Sequence, residues 1–193
     1  MRRRIKVVPY NSRWPQMYEE EARKLRRVFG AEFVSIHHIG STAVPGLQAK
    51  PVIDTLVVIK DILRIHDFDS RMIALGYRPR GECLDAFGTP GRFYFSKDTD
   101  GIRTHQAHVM EEGHFDIEQK LNFRDYLRAH PDEAETHGTL KERLTAENTQ
   151  GIAEYIEGKD GFVKAIIAKA TAWKNEQTAR SIEQGTAPER CVS

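Results

Sequence analysis

The run Val52-Ile53-Asp54-Thr55-Leu56-Val57-Val58-Ile59 sets a carboxylate inside a stretch that is otherwise almost entirely apolar. Such a run predicts a strand covered on both faces. A carboxylate inside it is costly unless a cation or hydrogen bonds receive it. The chain leading in, from His38 to Pro51, carries Gly40, Ser41, Thr42, Gly46 and Lys50. A loop of that make-up suits a phosphate beside a carboxylate-held divalent ion.

Each loop residue has a chemical reason to be a candidate. Gly40 permits backbone geometry that lets successive amides converge on an anion. Ser41 and Thr42 add hydroxyl donors, and Lys50 can neutralise a phosphate. The spacing fits neither the Walker loop nor a dinucleotide fingerprint. On the strand, Val52, Asp54, Leu56 and Val58 share one face. Two-metal phosphoryl transfer wants several carboxylates around paired ions, and an Asp-x-Asp pair on one strand face is the simplest supply. Here the second place is Leu56. Asp54 is therefore read either as a metal or ligand contact or as a brace hydrogen-bonded to the Gly40-Ser41 backbone.

Around this centre the sequence lays out a mixed sheet with helices. Ile5 to Val8 suggests an edge strand, and Ser12 with Pro15 a helix start, closed by Gly30. Phe33 to Ile39 reads as a strand and Ile62 to Leu75 as a helix. Gly81, Gly88, Pro90 and Gly91 punctuate an irregular region. Arg92 to Ser96 and Ile102 to Met110 read as a hairpin. Three helices follow: one marked by Ile117, Leu121, Phe123 and Leu127, one opening at Pro131 with a stripe of Ala134, Leu140 and Leu144, and one from Gly151 to Trp173 interrupted at Gly158–Gly161. The expected organisation is a core over residues 1–114, a helical lobe over 115–174 and a flexible tail over 175–193. The groove between core and lobe is the natural ligand site.

The second hairpin strand carries two histidines. Alternation puts Arg103, His105 and Ala107 on one face and Thr104, Gln106 and His108 on the other, unless a bulge intervenes. A neutral histidine can ligate a metal or move a proton near neutral pH, which makes His108 and His105 candidates on opposite faces. Arg103 offers a planar fork to phosphate, or else pairs with Glu111 or Glu112. Tyr155 and Lys159 stand four apart and can close on an acidic ligand if the helix continues through Gly158. His66, His114, His130 and His137 read as surface residues.

Composition bounds the partners. A net charge of +1 over 193 residues gives no global pull toward nucleic acid or anionic membrane. The basic start, Arg2 to Arg4, reads as a solvated terminus. No apolar run approaches the roughly 20 residues that span a bilayer. Cys83 and Cys191 match no zinc spacing and no disulfide framework. The cytoplasm is the expected compartment.

Several segments in order resemble the GrpB-like family of the nucleotidyltransferase superfamily. They are Val8 to Pro15 followed by Tyr18 and Glu21, Ile39 to Ile59, Arg103 to Val109, Phe123 to Arg128, and Tyr155 to Lys159 with Phe162. The resemblance implies an α/β (α+β) fold: a nucleotidyltransferase-like mixed sheet flanked by helices, with a helical C-terminal extension. It implies that Gly40 and Ser41 hold phosphate, that Asp54 holds Mg²⁺, or else Mn²⁺, and that His108 on an adjacent strand faces Asp54 to complete the site. Leu56 departs from the wider pattern, and Gln106 stands where the family often has histidine. Some relatives are fused to dephospho-CoA kinase, which points to a nucleotide or coenzyme A context. The expected function is binding of a nucleoside triphosphate with a divalent metal and transfer of a nucleotidyl or phosphoryl group. The competing expectation is a non-catalytic module binding a nucleotide or a coenzyme A-related molecule. A third reading makes the histidines a transition-metal site. Acceptor, base preference and oligomeric state are left open.

Overall fold

The computed structural model describes residues 6–83, 89–147 and 152–184, without the side chains of residues 152, 153 and 156. Arg2 to Arg4, Ile5, Gly88, Gly151, Cys191 and residues 185–193 lie outside the described residues.

The fold centres on one five-stranded sheet of order β1-β2-β5-β4-β3. Its strands are β1 (Phe33–Ile39), β2 (Ile53–Ile59), β3 (Tyr77–Glu82), β4 (Phe93–Thr99) and β5 (Ile102–Glu111). The β2–β5 pair is parallel and the other three pairs are antiparallel. The helices are α1 (Trp14–Phe29), α2 (Asp69–Ala74), α3 (Phe115–Ala129), α4 (Pro131–Glu147) and α5 (Ile152–Glu183). This is the α+β architecture of a mixed sheet flanked by helices.

The central strand β2 explains its own composition. Ile53, Val57 and Ile59 pack into a core shared with Trp14, Leu25 and Phe29 of α1. Leu56 and Val58 pack into a separate cluster with Ile39 and Met110, against Ile117 and Leu121 of α3. Both faces are therefore covered, as an unbroken apolar run requires. The place where a second metal carboxylate was sought is core: Leu56 is 0% exposed.

Several local expectations are corrected. Ile5 to Val8 forms no strand among the described residues; Val8 makes a single bridge to Ala49. The α1 cap is Arg13, not Ser12, and the Asn11 carboxamide oxygen accepts from the Arg13 amide. The Ile62 segment winds as a 3₁₀ helix to Phe68 before α2 begins. Tyr77–Glu82, read as irregular, is a sheet-edge strand, since pairing with β4 satisfies its backbone despite Gly81 and Pro79. The last helix is not interrupted at Gly158–Gly161, and it continues through Glu183 into the expected tail. The reason lies at Gly158: a Cβ there would stand 2.5 Å from Leu144 Cδ2 of α4. Close helix packing, not a break, accounts for that glycine.

Candidate functional site

The loop after β1 is braced from below by a histidine. His38 is buried and stacks on Tyr18, with ring centroids 4.7 Å apart. Its Nε2 lies 3.0 Å from Thr42 Oγ1, and that hydroxyl donates to the Val52 carbonyl at 3.3 Å. With its one proton committed to Val52, Thr42 accepts from His38, which fixes the Nε2–H tautomer. Burial holds the His38 pKa down at about 4, so the ring is neutral. Thr42 thus ties the loop to β2 and has no proton to give a ligand, contrary to expectation.

Gly40 adopts φ +70°. A Cβ on it would sit 2.7 Å from Asp54 Oδ2, so only glycine lets the loop backbone meet the carboxylate this closely. Asp54 is half-buried and paired in register with Ile39 and Gln106.

Three lysines converge beside it. A cavity of about 300 Å³ is lined by Ser41, Lys50, Asp54, Lys141, Tyr155 and Lys159, among others. Lys50 Nζ lies 4.1 Å and Lys159 Nζ 5.3 Å from the centroid of the Tyr155 ring. The buried ring is a platform for two cations. Lys141 Nζ donates to Ser41 Oγ at 3.0 Å and to the Gln48 carbonyl. The Ser41 hydroxyl accepts from Lys141, which leaves its own proton for a guest. Burial first, then repulsion from Lys159 and Lys50, brings the Lys141 pKa down to about 7. Burial and Lys159 bring Lys50 down to about 8, against the opposing pull of Asp54. Lys159 is lowered by burial, again opposed by Asp54. Among the described residues lining this cavity, Asp54 is the one acid facing three cations.

Lys141 was missed by the sequence reading. Its signal is the buried stripe of α4, which is Ala134, His137, Gly138 and Lys141 rather than Ala134, Leu140 and Leu144. His137 is 3% exposed, not a surface residue. It stacks on Phe162 at 5.2 Å, and burial next to Lys141 and Lys159 keeps it neutral, with a pKa of about 3.

Asp54 also walls a second cavity of about 290 Å³, lined by Gly40, Arg92, His108, Asp116, Lys120 and Phe123, among others. His108 stands beside Leu56 in register, so it shares the Asp54 face, and its Nε2 is 3.9 Å from Asp54 Oδ1. Burial lowers its pKa, only partly offset by Asp54.

The remaining candidates do not reach either cavity. His105 lies on the opposite face with Ala107 and Val109, and it feels the buried Glu21–Lys97 pair of that side. It is therefore not a ligand contact of this site. Arg103 is turned by a bulge at Lys97/Asp98 to the Tyr94 side of the sheet. There it donates to Asp98 at 2.5 Å and to the Tyr94 hydroxyl at 2.6 Å, not to Glu111 or Glu112. The Tyr94 ring in turn stacks on His108, centroids 5.4 Å apart. Arg103 thus supports the site through Tyr94. His114 caps α3 rather than lying free on the surface.

Residues 4–169 match the family model described as GrpB protein. The chain belongs to the GrpB family. Its relatives include the UPF0157 protein YqkA of Bacillus subtilis, 43% identical over 173 residues that make up 90% of this chain and 49% of that protein. The UPF0157 protein BH1888 of Halalkalibacterium halodurans is 32% identical over 87% of this chain and 83% of that protein. The chain thus spans about half the length of YqkA but most of BH1888. The crystal structure of the conserved protein GrpB from Enterococcus faecalis superposes with a TM-score of 0.79 at 34% identity, over 87% of this chain and 99% of that one.

The donor set of the GrpB site limits how it could hold a divalent ion. Among the described residues no group of three or more His, Cys, Asp or Glu side chains could hold a metal. Asp54 supplies one carboxylate and His108 one imidazole, while Leu56 fills the second strand position with hydrocarbon. Mg²⁺ keeps several waters and needs only one or two carboxylates when substrate phosphates complete its shell. One carboxylate suits only an ion whose shell is completed by oxygens from outside the protein, and Asp54 is the residue that would hold it. The residues do not fit an ion that the protein holds alone. No described helix is long and apolar enough to cross a membrane.

Proposed function

We propose that this GrpB-family chain binds a nucleoside triphosphate, with its phosphates among Lys50, Lys141 and Lys159, and transfers a nucleotidyl or phosphoryl group from it. The observation that carries the reading is the convergence of three lysines, Lys141 fully buried and Lys50 and Lys159 partly so, on a cavity whose one described acid is Asp54. Buried cations held below their ordinary pKa are unfavourable alone and are satisfied by a polyanion. Each residue then has a role. Lys141 and Ser41 hold phosphate from the loop side, and Lys50 and Lys159 do so across Tyr155. Asp54 would hold a Mg²⁺ bound to the phosphates, and that ion would offset charge developing on the phosphate oxygens. Gly40 keeps the loop close to that carboxylate.

Isothermal titration of ATP, CTP, GTP and UTP with Mg²⁺ tests the binding, and a hydrolysis or transfer assay tests the chemistry. Binding by the wild type and roughly tenfold weaker binding by Lys141→Met are expected. No binding of any nucleotide at about 1 mM, a weak affinity by any standard, overturns the proposal. Binding without turnover, insensitive to chelator, would favour a non-catalytic nucleotide or coenzyme A-related module. The missing carboxylate at Leu56 is the observation on that side. A dephospho-CoA kinase of Mycolicibacterium paratuberculosis is 24% identical over 88% of this chain, matching 46% of that protein, which keeps the same context in view.

A further inference from the structure

Lys141 is the deepest set of the three pocket lysines, and two uncharged oxygens hold its Nζ: Ser41 Oγ at 3.0 Å and the Gln48 carbonyl. Among the described residues no carboxylate lies within ion-pair distance of Lys50, Lys141 or Lys159. Asp54 nevertheless supports the charge of Lys50 and of Lys159. It gives no such support to Lys141, whose charge is opposed by burial and by both neighbouring lysines. The pocket therefore divides its cations. Two stand near an acid, while the third meets Lys50 from the loop, Lys159 from α5 and the neutral His137 of its own helix. A lysine desolvated beside other cations is in the state in which its amine is a nucleophile. It lines a cavity of about 300 Å³, room for a few carbon atoms and a phosphate.

We propose that Lys141 is an imine-forming nucleophile whose partner is a small phosphorylated aldehyde, with the phosphate at Lys50 and Lys159 and the carbonyl carbon at Lys141 Nζ. This goes beyond the nucleotide reading and does not rest on it. Lys50 and Lys159 against Asp54 leave one positive charge for the phosphate. The Ser41 hydroxyl, which accepts from Lys141, has its own proton to give. In the reaction the neutral amine nitrogen bonds to the carbonyl carbon, and the π electron pair moves to the oxygen. Both amine protons pass to that oxygen, the C–O bond breaks to release water, and the nitrogen lone pair closes the C=N bond. No co-reactant is consumed, and water reverses the step. The amine must arrive without its extra proton, and the lack of an acid at Lys141 favours that form.

The test is reductive trapping. Glyceraldehyde 3-phosphate and glyceraldehyde are each incubated with the wild type and cyanoborohydride, and the reduced adducts are located by peptide mass spectrometry. The phosphorylated aldehyde should mark Lys141 roughly tenfold faster than glyceraldehyde does, whereas at Lys164, 75% exposed, the phosphate should give no such advantage. The rate at Lys141 should level off as pH passes about 7, while an ordinary lysine goes on gaining toward ~10. Lys141→Arg keeps a cation but not a nucleophile and should lose the mark. Lys50→Met should abolish the advantage of the phosphate while Lys141 is still marked. The comparison of the two aldehydes on the wild type decides the matter even where a variant fails to fold. The inference is overturned if Lys141 stays unmarked, if Lys50 or Lys159 is marked in its place, or if glyceraldehyde marks it as fast as its phosphate does. Marking of Lys141 in a protein that binds no nucleotide would overturn the nucleotide reading and leave this one standing.

Discussion

Asp54 leaves no room for a side chain on Gly40: a Cβ there would lie 2.7 Å from Asp54 Oδ2 and 3.2 Å from Asp54 Cβ. Gly40→Ala therefore combines a steric clash with a positive φ that L-residues avoid. It is expected to cost about 1–3 kcal/mol of stability in urea unfolding. In the double variant with Asp54→Ala the clash with Oδ2 disappears, so the two changes should cost less together than the sum of each alone. Strict additivity would mean that the contact is unimportant.

Mg²⁺ alone should give no binding heat, since one carboxylate and one imidazole make a poor site for a hard cation. Mg²⁺ with ATP should bind more tightly than ATP with chelator, and Asp54→Ala should erase that difference while leaving metal-free ATP binding in place. Stoichiometric metal in the protein as purified would contradict this.

Affinity for tripolyphosphate should fall as pH rises from about 7 to 9. Lys141 and Lys50, with pKa values of about 7 and about 8, lose their protons over that range in the empty pocket. A bound polyanion favours the charged lysines, so binding takes up protons, and each fully linked lysine contributes up to about tenfold per pH unit. Titration in buffers of differing ionisation enthalpy should show net uptake, and Lys141→Met should reduce it. A pH-independent affinity would count against the lysine pocket.

The ligand-free protein should gain stability over part of the same range. The folded pKa of Lys141 is about 7 against an ordinary value of 10.5, so between those values the unfolded chain holds more protons and stability rises with pH. The slope from this side chain, which is 3% exposed, is at most about 1.4 kcal/mol per pH unit. Chemical denaturation at pH 7, 8 and 9 measures it, and Lys141→Met should flatten the curve.

Leu56→Asp, which writes the Asp-x-Asp pair into β2, should not create a metal site. Leu56 is fully buried among Ile39, Val58 and Met110, so a carboxylate there would lack a partner. A loss of several kcal/mol or a failure to fold is expected. A stable variant that binds Mg²⁺ unaided would show that the site is readier for two carboxylates than its packing indicates.

What could be read along the chain is what local chemistry enforces. The β2 run had to be a doubly covered strand, because hydrocarbon on both faces needs cover on both. Gly40 had to mark a special backbone, and Asp54, set among apolar neighbours, had to have a purpose. The parity of β5 correctly separated His108 from His105. Arg103 was harder to place, because a one-residue bulge reverses every face assignment beyond it.

The lysine pocket belongs to the second group, the features that exist only once the chain is folded. Lys50, Lys141 and Lys159 come from a loop and two helices, and no spacing in the sequence joins them. Lys141 looks like an ordinary polar residue of α4 until the helix is docked and its stripe proves to face inward. Gly158, read as a break, becomes a contact surface only against Leu144. Periodicity and steric limits act over a few residues, so the sequence by itself determined the strand, the tight loop and the solitary acid. Charge convergence depends on distances across the fold, so only the packing of α4 and α5 against the loop before β2 decided that this acid faces three cations, one of them fully buried.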